Sequence, residues 1–351
     1  MPVCLNRNRS SHNPQTVGVG RRPAVDYQTA ASSCIHIGLV NNMPDAALLA
    51  TERQFITLLD AAADGILVHL TFYALPDVPR GNAGRHRVNR YYTSAENLWD
   101  TELDGLIVTG REPQAANLKD EPYWGSFTRV LEWAKDNTRS TVWSCLAAHA
   151  ALLHMDGITR HRSKEKRCGV FDCVRLADHP LMAGVPWRLK MPHSRWNDIA
   201  EDELRARGYT VLTQAQDAGA DTIVKDANSL FVFFQGHPEY ESDSLLLEYR
   251  RDVKRYLTRE TDTYPSMPRA YFDKDTEDAL TVLREKAMCG RSEELIHDVA
   301  AVGNLKTITH TWHSTAALVY SNWLKYICAQ KEDLLTQSKV VARDTERTGA
   351  A

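Results

Sequence analysis

The sequence predicts an α/β fold with a largely parallel central sheet, helices on both faces and an added C-terminal helical segment. Two observations predict it. Short apolar runs alternate with helical patterns through the first half of the chain. One of those runs ends in a cysteine and passes straight into helix-forming residues. This strand–helix–strand rhythm argues for a parallel sheet covered on both faces.

Taken in order, residues 35–40 read as a buried strand. Residues 51–63 read as a helix that brings Phe55, Leu58, Leu59 and Ala62 onto one face. A second strand follows at 66–75 and a third at 105–109, ending in Gly110. Pro122 opens a helix in which Phe127, Val130, Leu131 and Ala134 recur at helical spacing. The strand 140–144 then runs into the apolar helix 146–153. Beyond residue 168 the strands shorten (169–176, 210–213, 222–224, 230–234) and become hairpin-like, so part of the sheet is expected to be mixed. Residues 244–257 return to a helix, 275–287 and 292–302 form two charged helices, and 316–329 forms the last. The polar stretch 331–351 is expected to fray.

At 351 residues, with 43% hydrophobic and 25% charged, the chain can bury a core large enough for an enzyme site. A formal net charge of -3 gives no general attraction to nucleic acid or anionic membranes. No apolar run approaches the roughly 18–20 residues that a membrane helix needs. The seven cysteines (Cys4, Cys34, Cys145, Cys168, Cys173, Cys289, Cys328) are odd in number and form no CxxC pair. Neither a disulfide scaffold nor a zinc ribbon is indicated, and a reducing cytoplasm fits. Residues 1–33 carry Arg7, Arg9, Arg21 and Arg22 with no apolar block after them, which excludes an ordinary secretory signal. Its Arg- and Ser-containing, acid-poor composition leaves a transit peptide as the alternative, but it shows no amphipathic period, so this stretch reads first as a flexible leader.

The sharpest chemical feature is Cys145, at the end of the β-rich run 140–144 and the start of a helix. In α/β folds this turn lifts a nucleophile above the carboxyl edge of the sheet. The helix N-terminus favours a thiolate, and the backbone N–H of Leu146 can hold an oxyanion with a facing loop. A buried structural cysteine at a strand end would look the same on its own. The second feature is His237-Pro238-Glu239, directly after the apolar strand 230–234. Proline fixes the backbone between the two polar residues, so that the carboxylate can hold the imidazole in one tautomer. An ordinary turn would also accommodate this triplet. Together they give the order nucleophile, base, orienting acid along one sheet edge. His149 and His154, five apart on a helix, point to different faces, and no metal site is indicated.

The chain resembles class I glutamine amidotransferases, with a strand–cysteine–helix turn and a His-x-Glu strand end. It resembles their relatives, the homoserine O-acyltransferases of methionine biosynthesis, more closely. The resemblance spans residues 37–271 and resumes at 312–326. It is carried by Asn42-Met43-Pro44, 51–55, 104–110, Tyr123-Trp124, Leu131-Glu132-Trp133, Glu165-Lys166, Pro192-His193-Ser194-Arg195, 236–240 and Arg251-Asp252. It implies a catalytic domain at 34–273. The residues themselves add a helical insertion with a C-terminal helix at 274–330 and a flexible tail at 331–351; the leader 1–33 and the stretch 274–305 have no counterpart in the family, which leaves a changed acceptor open.

It also implies roles. Cys145 is the cysteine that carries the acyl group, His237 the proton acceptor and Glu239 its partner. Lys166, Ser194 and Arg251 match substrate-binding positions, although Lys166 lies in a charged run and Arg251 has Glu248 as a helix neighbour. The implied donor is acetyl-CoA or succinyl-CoA, a co-substrate with no permanently bound cofactor, and the acceptor is L-homoserine or a similar hydroxy amino acid. A homodimer is the family's habit; neither nucleic acid nor membrane is an expected partner. Gln114 fills the position that distinguishes donors, commonly glycine with succinyl-CoA and glutamate with acetyl-CoA, and tips the reading slightly toward acetyl. Arg80, Arg85, Arg87 and Arg90, expected in a loop, are candidates for the CoA phosphates or simply solvated. Lysines common in the family after Met-Pro are replaced by Asp45-Ala46-Ala47. Glutamine hydrolysis is the competing chemistry, but Trp143-Ser144-Cys145-Leu146-Ala147 lacks the glycines usual around an amidotransferase cysteine. A non-catalytic metabolite-binding descendant is the other alternative.

Overall fold

The computed structural model describes residues 2–5, 34–302 and 310–348. In chain order its elements begin with β1 (Val3–Leu5), β2 (Cys34–Val40), α1 (Leu48–Ala62), β3 (Leu67–Ala74), α2 (Asn82–Tyr91), β4 (Thr93–Ser94) and β5 (Gly105–Thr109). Next come α3 (Trp124–Asn137), β6 (Ser140–Ser144), α4 (Leu146–Asp156), β7 (His161–Arg175), β8 (Arg188–Asp198) and α5 (Glu201–Ala206). They are followed by β9 (Thr210–Val211), β10 (Thr213–Ala215), β11 (Gly219–Ala220), β12 (Thr222–Asp226) and β13 (Leu230–Phe234). The remaining elements are α6 (Ser244–Leu257), α7 (Lys274–Cys289), α8 (Leu295–Ala301) and α9 (His313–Thr348).

The main sheet runs β1-β3-β2-β5-β6-β13-β12-β9, with β4 beside β3. Strands from β1 to β13 along this path are parallel, and β12 and β9 close it antiparallel, giving the mixed edge expected from the short late strands. A second, antiparallel sheet, β11-β10-β7-β8, carries the long hairpin between residues 161 and 198.

Period-two alternation divides the strand side chains between two cores. Ile35, Ile37, Leu39, Ile107, Val142 and Phe234 meet α1 and α9 through Phe55, Leu59, Tyr320 and Trp323. Val40, Leu106, Val108, Trp143, Phe231 and Phe233 meet α3 and α4 through Phe127, Leu131, Ala147 and Ala151. Trp323 Nε1 donates to Ser140 Oγ at 2.8 Å, which fixes α9 beneath β6. A satellite core of Tyr249, Val253, Tyr256, Leu280, Leu283 and Val299 packs α7 and α8 against α6.

Three differences from the sequence expectations have local causes. Val3–Leu5, within the expected leader, forms a parallel edge strand on β3 because Val3 reaches the core and Val68 N–H finds Pro2 O at 3.0 Å. The helix expected to end near 329 runs on to Thr348, as Lys331 Nζ ties it to Asp104 Oδ2 at 2.8 Å and no glycine or proline interrupts it. Asn82–Tyr91, expected as a loop, is helical, because Asp45 Oδ2 accepts from Gly81 N–H at 2.7 Å at its start and Arg87 Nε donates to Glu52 Oε1 at 2.7 Å. The rest of the leader, 6–33, lies outside the described residues.

Candidate active site

Strand register decides which side chains meet. Ser144 pairs with Phe234 across β6 and β13, and Cys145 N–H donates to Phe234 O at 2.7 Å. The chain leaves both strands at the same edge, so His237, three residues past Phe234, arrives beside Cys145. Gly236 permits the exit, since a Cβ there would lie 2.4 Å from Met191 Cγ and 2.6 Å from Asp221 Oδ1. His237 N–H then donates to Pro192 O at 2.8 Å, which pins the turn to β8.

Cys145 occupies φ 50, ψ -107, a backbone conformation that costs a non-glycine residue about 1–3 kcal/mol. Such strain persists where the surroundings enforce it. Here it stands at the junction of β6 and α4, with the Cys145 side chain in hydrogen-bond contact with His237. The facing loop begins at Gly110, where a Cβ would lie 2.5 Å from Ala147 N and 2.5 Å from Leu146 Cβ. Backbone therefore lies against the first turn of α4, where its N–H groups are free to take a negative oxygen. Substituting Gly110 with alanine is expected to push this loop away and lower kcat by about 10- to 100-fold, with an unchanged far-UV circular dichroism spectrum. Steady-state rates on the variant check this.

His237 Nδ1 faces Glu239 Oε1 at 3.0 Å, and the same oxygen accepts from Ser144 Oγ at 3.2 Å. The ring nitrogen on Glu239 is the donor, leaving Nε2 for Cys145. Burial alone would lower the His237 pKa. The charges of Cys145 and Glu239, in that order, lift it well above its ordinary 6.5. The imidazole is thus expected to remain protonated above pH 6.5, and its pKa is expected to fall in a Cys145→Ala protein, where the first lifting charge is gone. Nitrogen-15 NMR of the imidazole across a pH titration reads both values.

Tyr240 stacks on the His237 ring with centroids 4.1 Å apart, and its hydroxyl donates to Glu248 Oε1. Glu248 is the hub of a second cluster, where its Oε2 accepts from Ser194 Oγ and lies 3.5 Å from both Lys166 Nζ and Arg251. Asp252 Oδ2 takes Lys166 Nζ at 2.8 Å, and Asp252 Oδ1 takes Arg251 at 2.9 Å. Burial would raise the Glu248 carboxyl, but Lys166, Arg251 and the Ser194 and Tyr240 hydroxyls hold it below its usual value. Lys166, Ser194 and Arg251, far apart in sequence, are therefore brought together by two acids. Cys168, beside them, is pushed up to about 11 by burial and is a poor nucleophile. His310 Nε2 and Trp312 Nε1 both contact Tyr240 O at 2.9 Å, so the segment entering α9 braces this turn.

Gln114 is exposed, and its N–H and that of Ala115 donate to Glu121 Oε1 at 2.6 Å each. Arg80 and Arg87 are engaged internally, the first on Met43 O at 3.0 Å and Asn41 O at 2.9 Å, the second on Glu52. Sequence alone assigns no role in the site to Tyr240, Glu248, Asp252 or Gly110. Glu248, Arg251 and Asp252 share one helix face by their i,i+3 and i,i+4 spacing, which was the available signal.

A family model described as homoserine O-succinyltransferase matches residues 24–334 of this chain. The chain belongs to the homoserine O-succinyltransferase family. It is thereby an acyltransferase-family chain, consistent with the resemblance read from its motifs. A homoserine O-succinyltransferase from Rhodopseudomonas palustris is 49% identical over 297 residues, covering 85% of this chain and 89% of the relative. One from Bradyrhizobium japonicum is 43% identical, covering 83% of this chain and 89% of the relative. Among solved structures, a glutamine amidotransferase from Thermotoga maritima is similar at 11% identity and TM-score 0.47, covering 84% of this chain and 98% of that one. One from Methylobacillus flagellatus is similar at 14% identity and TM-score 0.47, covering 84% and 95%. No helix among the described residues of this family member is long and apolar enough to cross a membrane.

Proposed function

We propose that the chain transfers an acyl group from succinyl-CoA to the hydroxyl of L-homoserine, through an acyl thioester on Cys145. The observation that carries this reading is the meeting of a strained Cys145 with a His237 held charged by Cys145 and Glu239, in a chain of this family.

The steps follow from those groups. The resting pair is a Cys145 thiolate and a His237 imidazolium. The thiolate attacks the thioester carbonyl, and the oxyanion is held by the Leu146 N–H and the loop at Gly110. Collapse expels the CoA thiolate, which takes the imidazolium proton and leaves. One thioester has replaced another, so this half-reaction is nearly isoenergetic. Neutral His237 then removes the homoserine hydroxyl proton, and the alkoxide attacks the acyl-cysteine. Expulsion of the Cys145 thiolate restores the resting pair, with every proton accounted for.

The cluster beyond Tyr240 suits a zwitterionic amino acid. Arg251 offers a planar guanidinium to its carboxylate, and Glu248 and Asp252 offer oxygens to its ammonium. Replacing Glu248 by glutamine is expected to raise the KM for homoserine about tenfold or more, given the usual strength of hydrogen bonds to charged groups, while acylation by the donor alone is retained. Separate measurement of the two half-reactions checks this. The sequence's slight tilt toward acetyl rested on Gln114, whose exposed side chain gives it little hold on the donor. The relatives' names favour succinyl. Initial rates over a grid of donor and homoserine concentrations test the scheme: parallel double-reciprocal lines support it, and intersecting lines contradict it.

A further inference from the structure

Three guanidiniums are linked electrostatically around the end of the sheet, Arg80 with Arg111 and Arg160 with Cys145. Arg80, after β3, is held by the carbonyls of Asn41 and Met43 and lies 3.5 Å from Asp45 Oδ1. Arg111 follows Gly110, the residue pressed onto the first turn of α4, and donates through Nη1 to Pro79 O at 3.2 Å. It is only 8% exposed, and its Nε is buried without a partner. Arg160, which leads into β7, likewise has a buried Nη1 without a partner. Among the described residues neither Arg111 nor Arg160 forms an ion pair.

These two side chains share a neighbour. Both act electrostatically on the buried phenol of Tyr123, and Arg160 also acts on Cys145. Burial, with Glu121, pushes the Tyr123 phenol up to about 12, so it remains an O–H donor at neutral pH. Glu121 also faces Arg160, but its Oε1 is engaged by the N–H groups of Gln114 and Ala115. Arg162, a further neighbouring cation, is turned onto the face of Trp196 at 4.5 Å. Burying guanidinium groups with unmet donors is costly, and such an arrangement is stable when an anion completes it.

We propose that Arg111 and Arg160, with the Tyr123 hydroxyl, seat the distal carboxylate of a dicarboxylic acyl donor while its thioester carbonyl meets Cys145. This rests on the acyl-transfer reading above and adds the residues that select the acyl group. Two methylene groups separate the carbonyl of a succinyl thioester from its carboxylate, about 5 Å by ordinary bond lengths, and this is the span the seat has to bridge from Cys145. The phosphates of CoA lie at the far end of the pantetheine arm and are present in every acyl-CoA. An acetyl group offers this seat nothing.

The test compares kcat/KM for succinyl-CoA and acetyl-CoA, at fixed homoserine, in the full-length protein and in Arg111→Met, Arg160→Met and Arg111→Lys. The succinyl-to-acetyl ratio is expected to fall about 30- to 100-fold in either methionine variant, as loss of a charge-assisted hydrogen bond in a buried site implies. It is expected to fall less in Arg111→Lys, which keeps the charge without the fork. Both donors are measured on the same preparation, so the ratio is insensitive to any loss of folded protein. Equal losses with both donors would mean that the arginines serve CoA or the oxyanion, and would overturn the proposal. An unchanged ratio, or an unaltered protein that prefers acetyl-CoA, would overturn it too. An unaltered protein that uses neither donor would instead contradict the acyl-transfer reading itself.

Discussion

Replacing Cys145 with alanine is expected to lower kcat by about 10⁵- to 10⁶-fold, the scale seen when a covalent nucleophile is removed from an enzyme. Among the described residues no other cysteine is placed to substitute: Cys4 lies on the edge strand β1, and burial raises Cys34 and Cys328. Cys168 has a thiol pushed up to about 11 by burial, Cys173 is buried and raised further, and Cys289 is exposed on α7. Among the described residues only Cys145 stands at a helix N-terminus beside an imidazolium. The alanine protein should still fold, because the side chain is only partly buried and the strained turn is held by Phe234 O and the α4 hydrogen bonds. Circular dichroism and single-turnover kinetics on one preparation separate the two effects.

Replacing His237 with asparagine is expected to cost about 10³- to 10⁴-fold in kcat, the range for loss of a general base that also holds its nucleophile's charge. Both half-reactions suffer, the first through loss of the cation that stabilises the thiolate and the second through loss of the base. The pH dependence should also change. In the unaltered protein the charges of Cys145 and Glu239 hold His237 protonated well above its ordinary value, so acylation should decline as pH rises through the raised pKa and that cation is lost. Asparagine carries no such charge at any pH, so this alkaline decline should be absent from the variant. A profile of acylation rate against pH for both proteins checks the direction.

How much of this was legible in the sequence depends on the scale of the interaction. The parallel core was legible because Ile35, Ile37 and Leu39 and the later apolar runs carry their signal within five to seven residues. The turn at Cys145 and the strand end at His237 were legible for the same reason: each is a local change from strand to turn. The structure adds the register that places Ser144 opposite Phe234, a non-local fact no short window contains. The edge strand at Val3–Leu5 was hidden because three residues carry too little pattern. The helix at Asn82–Tyr91 was hidden because its stability comes from Asp45 and Glu52, more than thirty positions away. Arg111 and Arg160 illustrate the same limit. In sequence each is an ordinary charged residue, and only burial without a partner marks them.

That pattern also bears on the replaced lysines after Met43-Pro44. Asp45 is used structurally, capping the start of α2 and contacting Arg80, and Arg80 in turn supplies a buried cation to the carbonyls of Asn41 and Met43. The positive charge near this loop is thus delivered from the next strand end rather than from the loop itself.

The most direct test of the account is the mass of the intact protein after brief incubation with succinyl-CoA in the absence of an acceptor, beside a Cys145→Ala control. The account predicts a gain of one succinyl group on the unaltered protein, none on the control, and discharge of the adduct on adding homoserine. Failure to observe any adduct after rapid quenching, or an adduct that survives in the control, would contradict covalent catalysis by Cys145.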